Sequence, residues 1–155
     1  YSVVCYLLQI KDRHNGNIML DADGCIFHID FGYLLARTIK FEKAPFKLTD
    51  EFVEVLGGDQ SKTFKTYCNL VVLGFLAARK HYEKIQLLVE MSAGEGAAIP
   101  CLEGDSVAPN LRKRFHLDWN EVQCEEYILG LIGEARDNWR TQIYDTYQRI
   151  VNDIH

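Results

Sequence analysis

The sequence predicts an α+β chain, mostly helical, with a single short β-hairpin close to its start. Three observations predict it. Apolar residues recur at helical spacing over residues 1–10, from about Lys62 through Met91, and again beyond Asn120. Two short runs rich in strand-forming residues, Asn17 to Asp21 and Cys25 to Ile29, flank Ala22-Asp23-Gly24. The 155 residues suffice for one core, and they contain neither an internal repeat nor a low-complexity tract.

The elements follow in order. Val3, Val4, Leu7, Leu8 and Ile10 give the first helical pattern, which polar residues 11–16 interrupt. The helix thus delivers the chain to a loop, and the hairpin separates that loop from Asp30. Asp21-Ala22-Asp23-Gly24 lacks the further acidic ligands of a calcium loop, so it reads as the hairpin turn. Residues 33–47 have no sustained periodicity and include Pro45. Thr49, Glu51 and Phe52 signal a helix start, and Gly57-Gly58 its end. A long helix runs from about Lys62 to His81 and continues or restarts through Met91, with Gly74 permitting close helix packing. Gly94 to Pro109 reads as a loop, and two helices fit Asn120 to Ala135 and Asn138 to Ile154. Arg112-Lys113-Arg114 suits a solvated helix end or a membrane-facing patch. The stripe Trp139, Ile143, Tyr144, Tyr147, Ile150 and Ile154 fits packing on the body or a place at a membrane interface.

Composition excludes several classes. Nearly half the residues are hydrophobic and a quarter charged, and no apolar run approaches a membrane span. The chain opens within a helical pattern, with no basic n-region or cleavage signature, so no targeting segment is expected. Cys5, Cys25, Cys68, Cys101 and Cys124 never form Cys-x-x-Cys, which predicts buried, reduced cytosolic thiols. A net charge of −5 argues against nucleic acid as a partner, although local charge can still meet an anionic membrane.

The chemistry concentrates in Lys11-Asp12-Arg13-His14-Asn15-Gly16-Asn17 and Asp30-Phe31-Gly32. Phosphoryl transfer needs a proton acceptor near the attacking hydroxyl, an Asn to hold metal, and an Asp to bridge metal and phosphates. Protein kinases also use Asp-x4-Asn followed by Asp-Phe-Gly, but their His precedes the Asp by two residues. Here His14 follows Asp12 by two. Read from the residues, Asp12 and His14 compete for the proton; imidazole accepts one near neutral pH, whereas Asp can orient the hydroxyl. Taken singly, each residue also has a bland role, as a loop cap, turn former or surface side chain. Those roles leave the joint spacing of Asp12, His14, Asn17 and Asp30 unexplained.

The inverted Asp-Arg-His with Asn-x-Asn resembles the phosphoinositide 3-/4-kinase superfamily over nearly the whole chain. Ile10 to Ile18 is similar to the type III phosphatidylinositol 4-kinases; the 3-kinases and related protein kinases usually carry Gly where Lys11 stands. Phe46-Lys47-Leu48-Thr49-Asp50-Glu51-Phe52-Val53, Ala77-Ala78-Arg79-Lys80-His81 and Asn110 to His116 resemble the beta subtype.

The resemblance implies the C-terminal lobe of a lipid kinase domain over residues 1–155. Its catalytic loop would be 11–17, its Asp-Phe-Gly 30–32 and its activation loop 33–47. The N-terminal lobe would lie outside this sequence, leaving half an ATP site and an inactive segment on its own. The implied reaction transfers the γ-phosphoryl of ATP to the 4-hydroxyl of phosphatidylinositol, giving phosphatidylinositol 4-phosphate. Catalysis would fall to Asp12, His14, Asn17 and Asp30, with His14 the base. Asn17 and Asp30 would hold Mg²⁺, with Mn²⁺ as the alternative, and Ile29 would contact the nucleotide or serve the core. Arg13 is expected to pair with an acidic or activation-loop group, Asn15 to shape the loop, and Gly16 to give it backbone freedom. Arg37, Lys40, Lys43 and Lys47 form a net-positive loop suited to the lipid head group, or a merely solvated one.

Partners implied are phosphatidylinositol in membranes, and small GTPases or adaptor proteins through regions outside this sequence. The implied location is peripheral on Golgi or other endomembranes. Three other readings stay open: a phosphatidylinositol 3-kinase, a related Ser/Thr protein kinase, and a non-catalytic binding or scaffold module.

Overall fold

The computed structural model describes residues 1–36, 39, 42–93 and 99–138. The order is helix α1 (Ser2–Leu8), a 3-10 turn at Asn15–Asn17, strands β1 (Ile18–Leu20) and β2 (Ile26–His28), then helices α2 (Asp50–Val55), α3 (Lys62–Lys80) and α4 (Tyr82–Ser92). A second 3-10 turn at Pro100–Leu102 leads to α5 (Val107–Arg114) and α6 (Glu121–Asp137). The expected α+β class, helix-rich with one hairpin, is the observed one.

Local chemistry sets the boundaries. Gln9 takes a left-handed φ of 52° and its N–H returns to the Cys5 carbonyl, which stops α1 before the polar loop. The strands pair antiparallel with Ile18 opposite His28 and Leu20 opposite Ile26. Their turn is closed by Asp21 Oδ1, which accepts from the Asp23 and Cys25 amides at 3.0 and 2.7 Å. After α2, Gly57 and Gly58 both adopt left-handed φ, 86° and 87°, and so end the helix where the sequence places its stop. Ser61 then caps α3 by accepting from the Phe64 amide at 2.9 Å. Asn120 and Gln123 form a reciprocal capping box at the start of α6.

Two expectations need correction. Residues 107–109 belong to α5 and not to a loop; Pro109 lies in the first turn, where its missing N–H removes no helical bond. Cys25 is exposed, because it sits beside the hairpin turn, whereas Cys5, Cys101 and Cys124 are buried; all five are thiols. The helix expected over Asn138 to Ile154, with its apolar stripe, lies outside the described residues, apart from Asn138 itself, which ends α6.

One apolar core joins α1, α3, α5 and α6 through Cys5, Phe75, Leu111, Phe115 and Ile128. Gly74 faces α1, where a Cβ would stand 3.4 Å from Val3 Cγ2, at the near edge of ordinary contact. Arg79, near the end of α3, donates to the carbonyls of His116, Leu117 and Trp119, fixing the link between α5 and α6. The same core reaches Ile10, Phe46 and Leu48, so the loop after α1 and the segment before α2 both rest on it. That shared support positions the site.

Candidate active site

The loop after α1 and the segment that follows β2 lie side by side. Two backbone bonds join them: the Lys11 amide donates to Tyr33 O at 2.9 Å, and the Leu35 amide to Leu8 O at 2.7 Å. Further along, Glu42 is buried and its carboxylate accepts from the Asp12 amide at 2.6 Å and from Arg13 Nε. Arg13 Nη2 and Lys11 Nζ both donate to the Ala44 carbonyl, at 2.6 and 3.0 Å. Arg13 is therefore structural, paired with the acidic Glu42, as the sequence led us to expect of an acidic partner. Lys47 is buried too, and its Nζ donates to Asn15 Oδ1 at 2.8 Å.

The hairpin brings the remaining groups together. The Ile29 amide donates to the Asn17 carbonyl at 2.9 Å, tying the chain beside Asp30 to the start of β1. Asn17 Nδ2 donates to the Asp12 carbonyl at 3.0 Å and lies 3.5 Å from Asp12 Oδ2. Asp12 Oδ1 stands 3.9 Å from His14 Nε2, within ion-pair range but too long for a direct hydrogen bond. Asp12, His14 and Asn17 thus lie together through their side chains, and the bond from Ile29 to Asn17 brings the chain at Asp30 to the same end of the hairpin.

The backbone is unusual at the two aspartates. Asp12 has φ 66° and Asp30 φ 63°, both left-handed. Asp tolerates this region better than most residues, yet it is costly and persists only where neighbours over-determine it. Gly16, expected to supply the loop's freedom, lies in the 3-10 turn and is absent from the positive-φ glycines among the described residues. The left-handed step falls on Asp12 instead.

The donor set fits a hard divalent cation. Asn17 commits Nδ2 to Asp12, leaving Oδ1 as its ligand atom; exposed Asp30 commits Oδ1 to the Gly32 amide at 3.1 Å, leaving Oδ2. Among the described residues no cluster of three or more His, Cys, Asp and Glu could hold metal, so Asn17 and Asp30 would supply few contacts. Mg²⁺ suits that economy, since phosphates and water complete its shell.

Met19 faces Phe27 across the ladder, and Ile29 lies two residues beyond Phe27 on the same face. All three are exposed, as is Phe31. Such an apolar platform beside Asp30 is where the ring of a nucleotide could lie. His28 points to the other face and is buried, which pushes its imidazole below the usual range; its ring lies 5.5 Å from that of Phe31.

The basic residues of the loop fall into different settings. Lys43 is exposed, Lys47 is committed to Asn15 in the loop after α1, and Arg37 and Lys40 lie outside the described residues. Lys47 is thereby placed to brace Asn15 and not to meet a head group. Sequence reasoning missed Glu42 as the group that holds the Asp12 amide. Its sole signal was being the one acid in a basic stretch beside Arg13's unfilled need for a partner.

A helical body carrying an Asp-Arg-His loop at one foot of a hairpin and Asp-Phe-Gly at the other has the layout of the larger lobe of a kinase domain. Residues 1–99 match the family model described as phosphatidylinositol 3- and 4-kinase, and the chain belongs to that family. It is 51% identical over 162 residues to phosphatidylinositol 4-kinase beta 1 of Arabidopsis thaliana, covering 99% of this chain and 14% of that relative. To phosphatidylinositol 4-kinase beta of Sorex araneus it is 44% identical over 157 residues, with 99% and 20% covered. The corresponding protein of Xenopus tropicalis is 43% identical, with 99% and 19% covered. The chain thus spans at most a fifth of the length of these relatives.

Proposed function

We propose that this chain is the catalytic lobe of a phosphatidylinositol 4-kinase of the beta kind, passing the γ-phosphoryl of ATP to the inositol 4-hydroxyl. The observation that carries it is the gathering of Asp12, His14, Asn17 and Asp30 at one hairpin foot. The names of the similar proteins support the lipid and the 4-position.

The residues divide the work. The His14 imidazole takes the proton of the attacking hydroxyl as its oxygen bonds to the γ-phosphorus and the bond to the ADP oxygen breaks. The Asp12 carboxylate, 3.9 Å from Nε2, stabilises the resulting imidazolium. Asn17 and Asp30 would hold Mg²⁺, or Mn²⁺ in its place, and the ion would neutralise charge on the phosphates. Met19, Phe27 and Ile29 offer the purine an apolar surface. Arg37, Lys40 and Lys43 give the stretch after Asp-Phe-Gly a positive charge suited to an anionic lipid head group.

Recruitment by small GTPases or adaptor proteins, and a peripheral place on Golgi or other endomembranes, belong to the same proposal and rest on the family resemblance. No helix among the described residues is long and apolar enough to cross a membrane.

The full-length protein, given ATP and separate vesicles of phosphatidylinositol, its monophosphates and a protein substrate, should phosphorylate phosphatidylinositol at the 4-position. Product at the 3-position, or phosphorylation of protein alone, would overturn the reading.

A further inference from the structure

We propose that Lys11 is a positioning residue for phosphoryl transfer: its side chain ties the activation segment to the catalytic loop and so keeps Asp12 in its left-handed conformation. The inference rests on the kinase reading above and adds to it a residue that touches neither nucleotide nor lipid.

Lys11 and the amide of Asp12 are held by the activation segment at three points. The Lys11 amide donates to Tyr33 O at 2.9 Å, its Nζ to Ala44 O at 3.0 Å, and the Asp12 amide to Glu42 Oε2 at 2.6 Å. Each contact comes from a different residue of that segment, before and after its midpoint. Asp12 stands at φ 66° immediately beyond this grip. A strained backbone of this kind relaxes when its restraints are removed. All three are long-range: one is backbone to backbone, one rests on the Glu42 carboxylate, and one on the long Lys11 side chain.

An ammonium is an expensive way to satisfy the Ala44 carbonyl. Arg13 Nη2 already donates to that oxygen at 2.6 Å, and Lys11 is buried with 6% of its surface exposed. The charges around it are Arg13 and Glu42 in the site, with Cys5 of α1 and Glu134 of α6 further off. Two cations therefore share one close carboxylate, and Glu42 is already bonded to Arg13. Burial together with Arg13 lowers the Lys11 pKa to about 8, so the charge is disfavoured where it stands. An apolar side chain would fill this place at less cost. What an apolar chain cannot do is add a second donor to the Ala44 carbonyl beside Arg13, and so reinforce the hold of the Glu42 to Ala44 stretch against the loop.

The test uses full-length enzyme carrying Lys11→Met, with Lys11→Arg as the conservative partner. Lys11→Met should lower kcat for lipid phosphorylation roughly ten- to a hundredfold, the scale of a small misplacement of a catalytic group. KM for ATP should stay within about twofold, since the nucleotide groups are untouched. Amide exchange should quicken in peptides covering 10–16 and 33–47 while α3 and α6 keep their protection. Lys11→Arg, which retains a donor, should restore most of the rate. An unchanged kcat would overturn the proposal, and so would exchange that rises equally in α3 and α6, since Lys11 would then serve stability alone. If wild-type enzyme shows no lipid kinase activity, the functional reading fails. The exchange comparison still decides whether Lys11 holds the loop: faster exchange confined to 10–16 and 33–47 supports that grip, and unchanged exchange ends it.

Discussion

Single residues carry different burdens at this site, and substitutions should separate them. Asp30 is exposed and its Oδ1 is bonded to the Gly32 amide, a contact that an amide oxygen can also make. Asp30→Asn should therefore fold normally while losing about 10²–10³-fold in kcat, because only the charge at the transferring phosphate is gone. Turnover within threefold of wild type would remove Asp30 from the metal site. His14→Ala should cost on the order of 10²–10⁴ in kcat and leave ATP affinity almost unchanged, as expected for a lost proton acceptor; steady-state kinetics with vesicles reads both. Glu42 behaves otherwise. Glu42→Ala strips the buried Arg13 of its carboxylate, and such losses typically cost about 3–5 kcal/mol, visible in a denaturant melt.

At the scale of elements, the punctuation of the sequence translated well. Gly57-Gly58, Asn120 with Gln123, and the Asp21 turn each act through local backbone chemistry that needs no distant partner. Asn120→Ala should accordingly cost about 1 kcal/mol, the usual loss for an N-cap, and thermal unfolding would show it. Gly74 makes a sharper case. A Cβ there meets Val3 at ordinary contact distance, so the helix gain of up to about 1 kcal/mol should prevail and Gly74→Ala should raise Tm. A fall in Tm would mean that α1 cannot yield. What the sequence did not disclose lies between elements. Nothing local to Lys47 or Glu42 says that both turn inward beneath the catalytic loop, because their partners sit some thirty positions away. Pro109 misled for the opposite reason: it reads as a breaker everywhere except in a first turn.

For the molecule as a whole, the charges buried where the loop after α1 meets the stretch around Glu42 and Ala44 bear on stability, and Lys11 makes that measurable through pH. Its folded pKa is about 8 against an ordinary 10.5. Below pH 8 both folded and unfolded chains hold the proton, and the burial penalty is felt in full. Between about 8 and 10.5 only the unfolded chain holds it, so unfolding takes up a proton and this contribution favours folding increasingly as pH rises. Buried tyrosines and thiols, whose protons burial retains, act in the opposite sense at high pH. The quantity to measure is therefore the difference in stability between wild type and Lys11→Met across pH 7 to 10.5. It should drift in favour of wild type as pH rises; a flat difference would mean the ammonium is not held in this environment.

The left-handed aspartates bear on how any survey of this site should be done. Alanine at position 12 or 30 would remove a carboxylate and also install a side chain that resists the local backbone, at roughly 1–2 kcal/mol. A replacement that mixes chemistry with conformation inflates the apparent importance of the carboxylate. Asparagine tolerates the same backbone and is nearly the same shape, so it isolates the charge. Glycine accepts the bend but loses the carboxylate just as alanine does, so the difference between glycine and alanine reads the bend. Asparagine for the charge, and that difference for the backbone, separate what the acid does from what the bend does.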